Sequence, residues 1–313
     1  MSGGRLEGPL RGSEEPSGDG GVEPRHGSGE APEPDGGGGV DAGQASAGEG
    51  HAAGPLPEAS PAVIGAAEPA RPGWAYRDVA VVAGFSLGAQ VFVYLFAVLG
   101  MLLVRQSRGA TFGYLDAVSS VAFILPVQVL WWALVFWIVY RIVRARDPRP
   151  FREAIGWVRP SHPAPLYLLG GAGLAASVAV LAWALPKSHQ KMPMEALFKD
   201  PMSAFLLAGF GVFVAPVVEE LLFRGFLYPV MERAHGAVAA VVATGGLFSV
   251  VHAQQYGWAW QNLLLLGYVG VVFGAVRALT GSLVPSTLVH ASYNLTLFAA
   301  LYGASKGFRN FNF

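Results

Sequence analysis

The sequence predicts an all-α membrane protein, a polytopic transmembrane helix bundle of about seven spans preceded by a disordered N-terminal tail. Three observations carry this expectation. Of the 313 residues, 53% are hydrophobic and only 13% charged, against roughly a quarter charged in an ordinary soluble domain. The polar residues are also segregated. Residues 1–72 hold 12 acidic side chains and four arginines, net −8, while residues 73–313 hold nine acidic and 17 basic ones, net +8, so the formal charge of zero averages two unlike segments. Beyond residue 78, apolar runs reach the ~20 residues that cross ~30 Å of hydrocarbon as a helix.

The tail, residues 1–72, contains 18 Gly and 10 Pro and no Phe, Trp or Tyr. Such a composition cannot bury enough apolar surface to offset the entropy of ordering a backbone. It lacks the basic start and apolar run of a secretory signal, so cleavage is not expected. The rest, residues 73–313, forms the transmembrane helical domain. Val79 to Val104 is the first span, interrupted most strongly by Gln90. Ala117 to Tyr140 is the second, with Trp131, Trp132, Phe136, Trp137 and Tyr140 at its far end, as expected of an interfacial anchor. Leu166 to Leu185 is the third, and its Gly170, Gly171 and Gly173 permit close helix approach. Met202 to about Val230 is a long fourth span, and Val238 to about His252, Leu263 to Ala278 and Leu283 to Leu301 supply three more. Amphipathic soluble helices would show a polar face every 3.6 residues, and Val79 to Val104 and Ala117 to Tyr140 show none.

The loop from Arg141 to Arg159 carries six arginines against Asp147 and Glu153, which predicts a cytoplasmic location for it and for the tail. Seven spans then put the carboxyl terminus outside. Lys187, Lys191 and Lys199 fall on the outer side and weaken that bias. With no global basic excess, no nucleic-acid partner is expected. The absence of cysteine excludes a disulfide framework, a thiolate nucleophile and a cysteine-ligated zinc site.

Charges inside a bilayer cost about 2.5–3.5 kcal/mol each on insertion scales, so an intramembrane ionisable residue is a candidate for function. Glu220 and Arg224 stand four apart on one helix face and can pair, while Glu219 points about 100° away and keeps a free carboxylate. A base in an apolar cavity is suited to accepting a proton from water, which makes Glu219 the candidate general base. The competing structural reading is a clamp in which both acids share Arg224. Phe248 and His252 are again four apart in the fifth span, as are His290 and Asn294 in the last. An acid, two imidazoles and a carboxamide thus await a common centre, where the amide can donate to a developing oxyanion. On alternating topology they meet only if the fourth helix is long and the centre lies near mid-membrane.

Glu219-Glu220-x-x-x-Arg224, Phe248-x-x-x-His252 and His290-x-x-x-Asn294, each on an apolar helix and in that order, resemble the CPBP family of intramembrane proteases. This family is also called Abi and includes the type II CAAX prenyl endopeptidases. The lead-in from Gly281 to His290 is similar to that family's third motif, and the resemblance covers a catalytic core of about residues 200–300. It implies a multi-pass membrane hydrolase that cuts peptide bonds of membrane-anchored proteins or peptides within or beside the lipid bilayer. On that resemblance Glu219 activates the attacking water and His252 helps hold it. His290 and Asn294 stabilise the oxyanion, and Glu220 with Arg224 braces the site. No cofactor is required on this glutamate reading. If the reaction is metal-dependent, Glu219, His252 and His290 form a zinc ligand set, although no HExxH pair is present. Two other functions compete: a proton-coupled transporter, for which the halves show no convincing inverted repeat, and a non-catalytic immunity or scaffold protein.

Among the remaining features, Gly270-x-x-x-Gly274 reads as close helix packing. Tyr256, Trp258 and Trp260 read as an interfacial belt. His162, His189 and His235 fall in expected loops, and Pro216 reads as a helix bend.

Overall fold

The computed structural model describes residues 72–108, 120–188, 190 and 192–310, all within Val63–Phe313, the second of two compact units of the chain. The tail expected over residues 1–72 lies outside the described residues except for Pro72, as do Ala117 to Ser119, His189 and Lys191. The described residues contain no strand. They form α1 (Tyr76–Arg108), α2 (Val121–Arg146), α3 (Ala164–Ala184), α4 (Pro201–His235), α5 (Ala237–Val251), α6 (Trp260–Thr280) and α7 (Leu283–Ala304), with single turns at Phe151–Ala154 and Pro193–Leu197. Five of these, α1, α2, α3, α4 and α6, are long and apolar enough to cross a membrane. The fifth helix, α5, is apolar but only 15 residues, about 22 Å at ~1.5 Å per residue and short of ~30 Å of hydrocarbon.

Local chemistry sets the helix ends. Asp200 caps α4, its carboxylate accepting from the Ser203 N–H at 3.0 Å, with Pro201 in the first turn, where a missing N–H is harmless. Ser282 caps α7, and Gly281 at φ +64° closes α6 in the left-handed conformation that glycine adopts freely. The second helix continues through Arg141, Arg144 and Arg146, beyond the expected end at Tyr140, because arginine is a good helix former and favours a C-terminal turn.

Glycine decides which helices touch. A Cβ on Gly171 would overlap the backbone carbonyl of Val289, so α3 and α7 meet there without side chains between them. Gly170 has ordinary contact with Val289, whereas Gly173 faces open space. Gly270 and Gly274 do lie at a close crossing, 2.8 Å from the Gly245 carbonyl oxygen and 3.3 Å from Val241 measured from an ideal Cβ, and so seat α5 against α6. On the arginine-rich end, the loop after α2 is tied to α7: the Leu283 N–H donates to the Gly156 carbonyl at 2.7 Å, and the Ser282 hydroxyl donates to the Val158 carbonyl at 2.7 Å. At the opposite end the Met194 N–H donates to the Gln255 carbonyl at 3.2 Å. Phe92, Phe96 and Leu87 on α1 are largely exposed, which suits a helix facing hydrocarbon.

Candidate active site

The site is built on α4, which is not a uniform α-helix. Phe210–Val214 and Leu221–Leu227 are π-helical turns flanking the α-helical Ala215–Glu220. Each π segment ends two residues before a proline, Pro216 and Pro229. Proline offers no N–H and its ring clashes with the carbonyl four residues back, so the preceding turn widens to an i→i+5 bond. The donors just before each proline show this: the Ala215 N–H goes to the Phe210 carbonyl and the Tyr228 N–H to the Phe223 carbonyl. Pro216 therefore does more than bend the helix.

Gly211 is left facing Pro216 as its would-be i+5 donor, and its carbonyl instead accepts from Asn294 Nδ2 at 2.7 Å. Asn294 is thus placed one turn along α7 from His290, with one of its two amide N–H groups engaged by the first π segment.

Between the two π segments, Glu219 and Glu220 diverge as the helical period requires. Glu220 and Arg224 are both fully buried, and Arg224 Nη1 donates to Glu220 Oε1 at 3.1 Å. The guanidinium also donates through Nη2 to the Gly270 carbonyl. It lies 5.1 Å from the Phe248 ring centre, 5.5 Å from Phe273 and 5.6 Å from Phe223. Three aromatic faces and two oxygen acceptors offset much of the cost of a desolvated cation.

Glu219 points to the other side, its side chain 16% exposed. Its two oxygens lie 3.7 Å from His252 Nε2 and 3.7 Å from His290 Nε2. The ring protons can be placed from their partners. His252 Nδ1 lies 2.7 Å from the Phe248 carbonyl, which can only accept, so Nδ1 carries the hydrogen and a neutral ring turns its Nε2 lone pair toward Glu219. His290 Nδ1 lies 3.1 Å from Glu220 Oε1, again as donor to an acceptor. Phe273 stacks on the His290 ring at 4.3 Å, and Phe248 lies 4.5 Å from the His252 ring. Separations of 3.7 Å are too long for direct hydrogen bonds but short enough for both nitrogens and the carboxylate to share one small molecule.

The sequence-predicted residues thus fall into one cluster of Glu219, Glu220, Arg224, His252 and His290, with Asn294 attached to it through α7 and the first π segment. Glu219 and His252 meet because α4 runs 35 residues while α5 ends after 15, which leaves His252 at the C-terminus of α5 beside the middle of α4. Among the described residues no group of three His, Asp or Glu side chains is placed to hold a metal ion, the set Glu219, His252 and His290 included.

Sequence reasoning missed Phe273, Phe223, the Gly270 carbonyl and Ser286. Ser286 is fully buried one turn before His290, lies against Glu220 and donates to the Leu283 carbonyl at 3.0 Å. Only Ser286 left a trace in sequence, as a polar residue four before His290 in an apolar helix. Trp258 and Trp260 are exposed as a belt requires, whereas Tyr256 is half-buried.

No curated protein and no solved structure matches the chain. Residues 201–296, which contain all six candidate site residues, match the family described as Type II CAAX prenyl endopeptidase Rce1-like, so over that segment the chain is similar to proteins of this family.

Proposed function

We propose that this protein is an intramembrane endopeptidase that hydrolyses a peptide bond of membrane-anchored proteins or peptides with a glutamate-activated water. The observation that carries this reading is the Glu219 carboxylate, flanked at 3.7 Å by one nitrogen of each of two imidazoles whose other nitrogens are already engaged. A water held there donates one proton toward Glu219 and the other to the His252 Nε2 lone pair, leaving an oxygen lone pair for attack. As the new C–O bond forms, Glu219 accepts the proton, and the carbonyl oxygen becomes an oxyanion to which Asn294 donates through its second amide N–H and His290, as an imidazolium whose Nδ1–H stays on Glu220, donates through Nε2–H. The C–N bond then breaks, and Glu219 returns its proton to the departing amine. Glu220 and Arg224 hold the His290 ring through Nδ1 and do not touch the reacting atoms.

In this reading residues 73–313 form the membrane domain, with the catalytic core at about residues 200–300. The tail and the Arg141 to Arg159 loop face the cytoplasm, supported by the six arginines of that loop. The test is Glu219→Gln in liposomes, with membrane-anchored reporter peptides and comparative membrane proteomics of producing cells. The expected result is a rate loss of roughly 10²–10⁴ with unchanged folding. Undiminished cleavage removes Glu219 from its role, and proton flux abolished by the same substitution replaces hydrolysis with transport.

A further inference from the structure

The strap before α1, residues 72–75, takes no part in the chemistry above, yet it is seated deeply. Trp74 is fully buried. Its ring lies flat on Phe226, 5.5 Å between centres and 6° between planes, and its Nε1–H donates to the Phe226 carbonyl at 2.8 Å. The backbone is held on either side. The Gly73 N–H donates to Asp147 at 3.3 Å, and Arg233 donates to the carbonyls of Pro72 at 2.8 Å and Trp74 at 3.0 Å. Gly73 presses so closely on the Arg146 carbonyl that a Cβ has no room.

Phe226 lies inside the second π segment, two residues beyond Arg224. An i→i+5 turn has a neighbouring alternative, the ordinary α pitch, and returning to it rotates one side of the helix against the other by about 100°. Trp74 fixes both the ring and the carbonyl of the residue that such a return would move. From Phe226 the chain of contacts runs through the backbone to Arg224, then to Glu220 Oε1, then to His290 Nδ1.

We infer that Trp74 is a positioning residue for the active site: its indole N–H and ring lock Leu221–Leu227 in the π form, so that Arg224 reaches Glu220 and the Gly270 carbonyl together and Glu220 keeps its hold on His290. This rests on the proteolytic reading for its consequence but not for its geometry.

Trp74→Phe keeps a flat ring on Phe226 and removes the N–H, whereas Arg233→Gln loosens the same strap without touching Phe226. Trp74→Phe is expected to lower kcat about tenfold or more with little change in KM. It should also displace the pH profile of kcat in the same direction as Glu220→Gln does. Arg233→Gln should lower thermal stability and leave kcat and the profile in place. Replacement of Trp74 by benzothienylalanine, which keeps the ring shape and lacks the N–H, repeats the test if Trp74→Phe does not fold.

A readout independent of turnover is ¹⁵N-histidine NMR, in which the Nδ1–H signal of His290, assigned by its loss in His290→Gln, should shift in Trp74→Phe and stay in Arg233→Gln. An unmoved signal, or equal stability losses in both variants with unchanged kcat, makes the strap a simple anchor and overturns the proposal. A wild type that cleaves nothing, while the signal still responds to Trp74→Phe, sinks the proteolytic reading and leaves the coupling standing.

Discussion

Arg224 shows how much of the site hangs on one buried side chain. Removing one partner of a fully buried pair leaves the other charge uncompensated, at a cost of about 3–5 kcal/mol. Arg224→Ala is therefore expected to lower thermal stability in detergent severely, because Glu220 is fully buried and loses its cationic partner. Arg224→Lys keeps the charge but not the fork, and a lysine ammonium cannot bond Glu220 and the Gly270 carbonyl with the same planar geometry. It should fold and lose activity, measured as kcat on a membrane-anchored peptide; full activity would reduce Arg224 to a counter-charge. The pairing itself was legible, since a spacing of four puts Glu220 and Arg224 on one face and predicts Glu219 on another. The gathering of Phe248, Phe273 and the Gly270 carbonyl around the guanidinium was not, because they come from α5 and α6, which no local spacing connects to Arg224.

At the scale of the element, the seven expected spans correspond to seven helices among the described residues, of which five are long and apolar enough to cross a membrane while α5 and α7 are not counted among them, because continuous hydrophobicity dominates every weaker local preference. The interior of α4 was harder to read. Pro216 signals an interruption, but whether the helix kinks or widens depends on what satisfies the stranded carbonyl, and that donor, Asn294, lies 83 residues away on α7. Pro216→Ala restores an N–H and lets the turn at Phe210–Val214 return to α pitch. The expected outcome is equal or higher thermal stability with a kcat reduced roughly 100-fold, because Glu219 rotates relative to the half of α4 that Asn294 grips. Retention of full activity would show that the wide turn is incidental. The glycine cluster of α3 gives a sharper contrast. Gly171→Ala forces apart two backbones and should destabilise, whereas Gly173→Ala enters open space and should be neutral or slightly stabilising. Thermal unfolding of the two variants separates them, and equal losses would contradict the α3–α7 contact.

On the scale of the whole molecule, burial is uneven about the site: Glu220 and Arg224 are fully buried, while the Glu219 side chain is partly exposed beside His252, at the end of α5 that leads into the turn carrying Gln255. That turn marks the side from which we expect the carboxylate to be approached, and the orientation of the bundle decides which compartment it faces. The arginines between Arg141 and Arg159 predict that their end is cytoplasmic, against the pull of Lys187 and Lys199 at the other. A chain without cysteine allows a direct test, since each introduced thiol is unique. Arg152 and Gln254 are both exposed and sit at opposite ends. In intact cells Gln254→Cys should react with a membrane-impermeant maleimide, and Arg152→Cys should react only after permeabilisation. Both thiols reacting from one side would break the alternating topology on which the shared centre depends. The reverse pattern would keep the topology and move the approach to Glu219 to the cytoplasmic compartment.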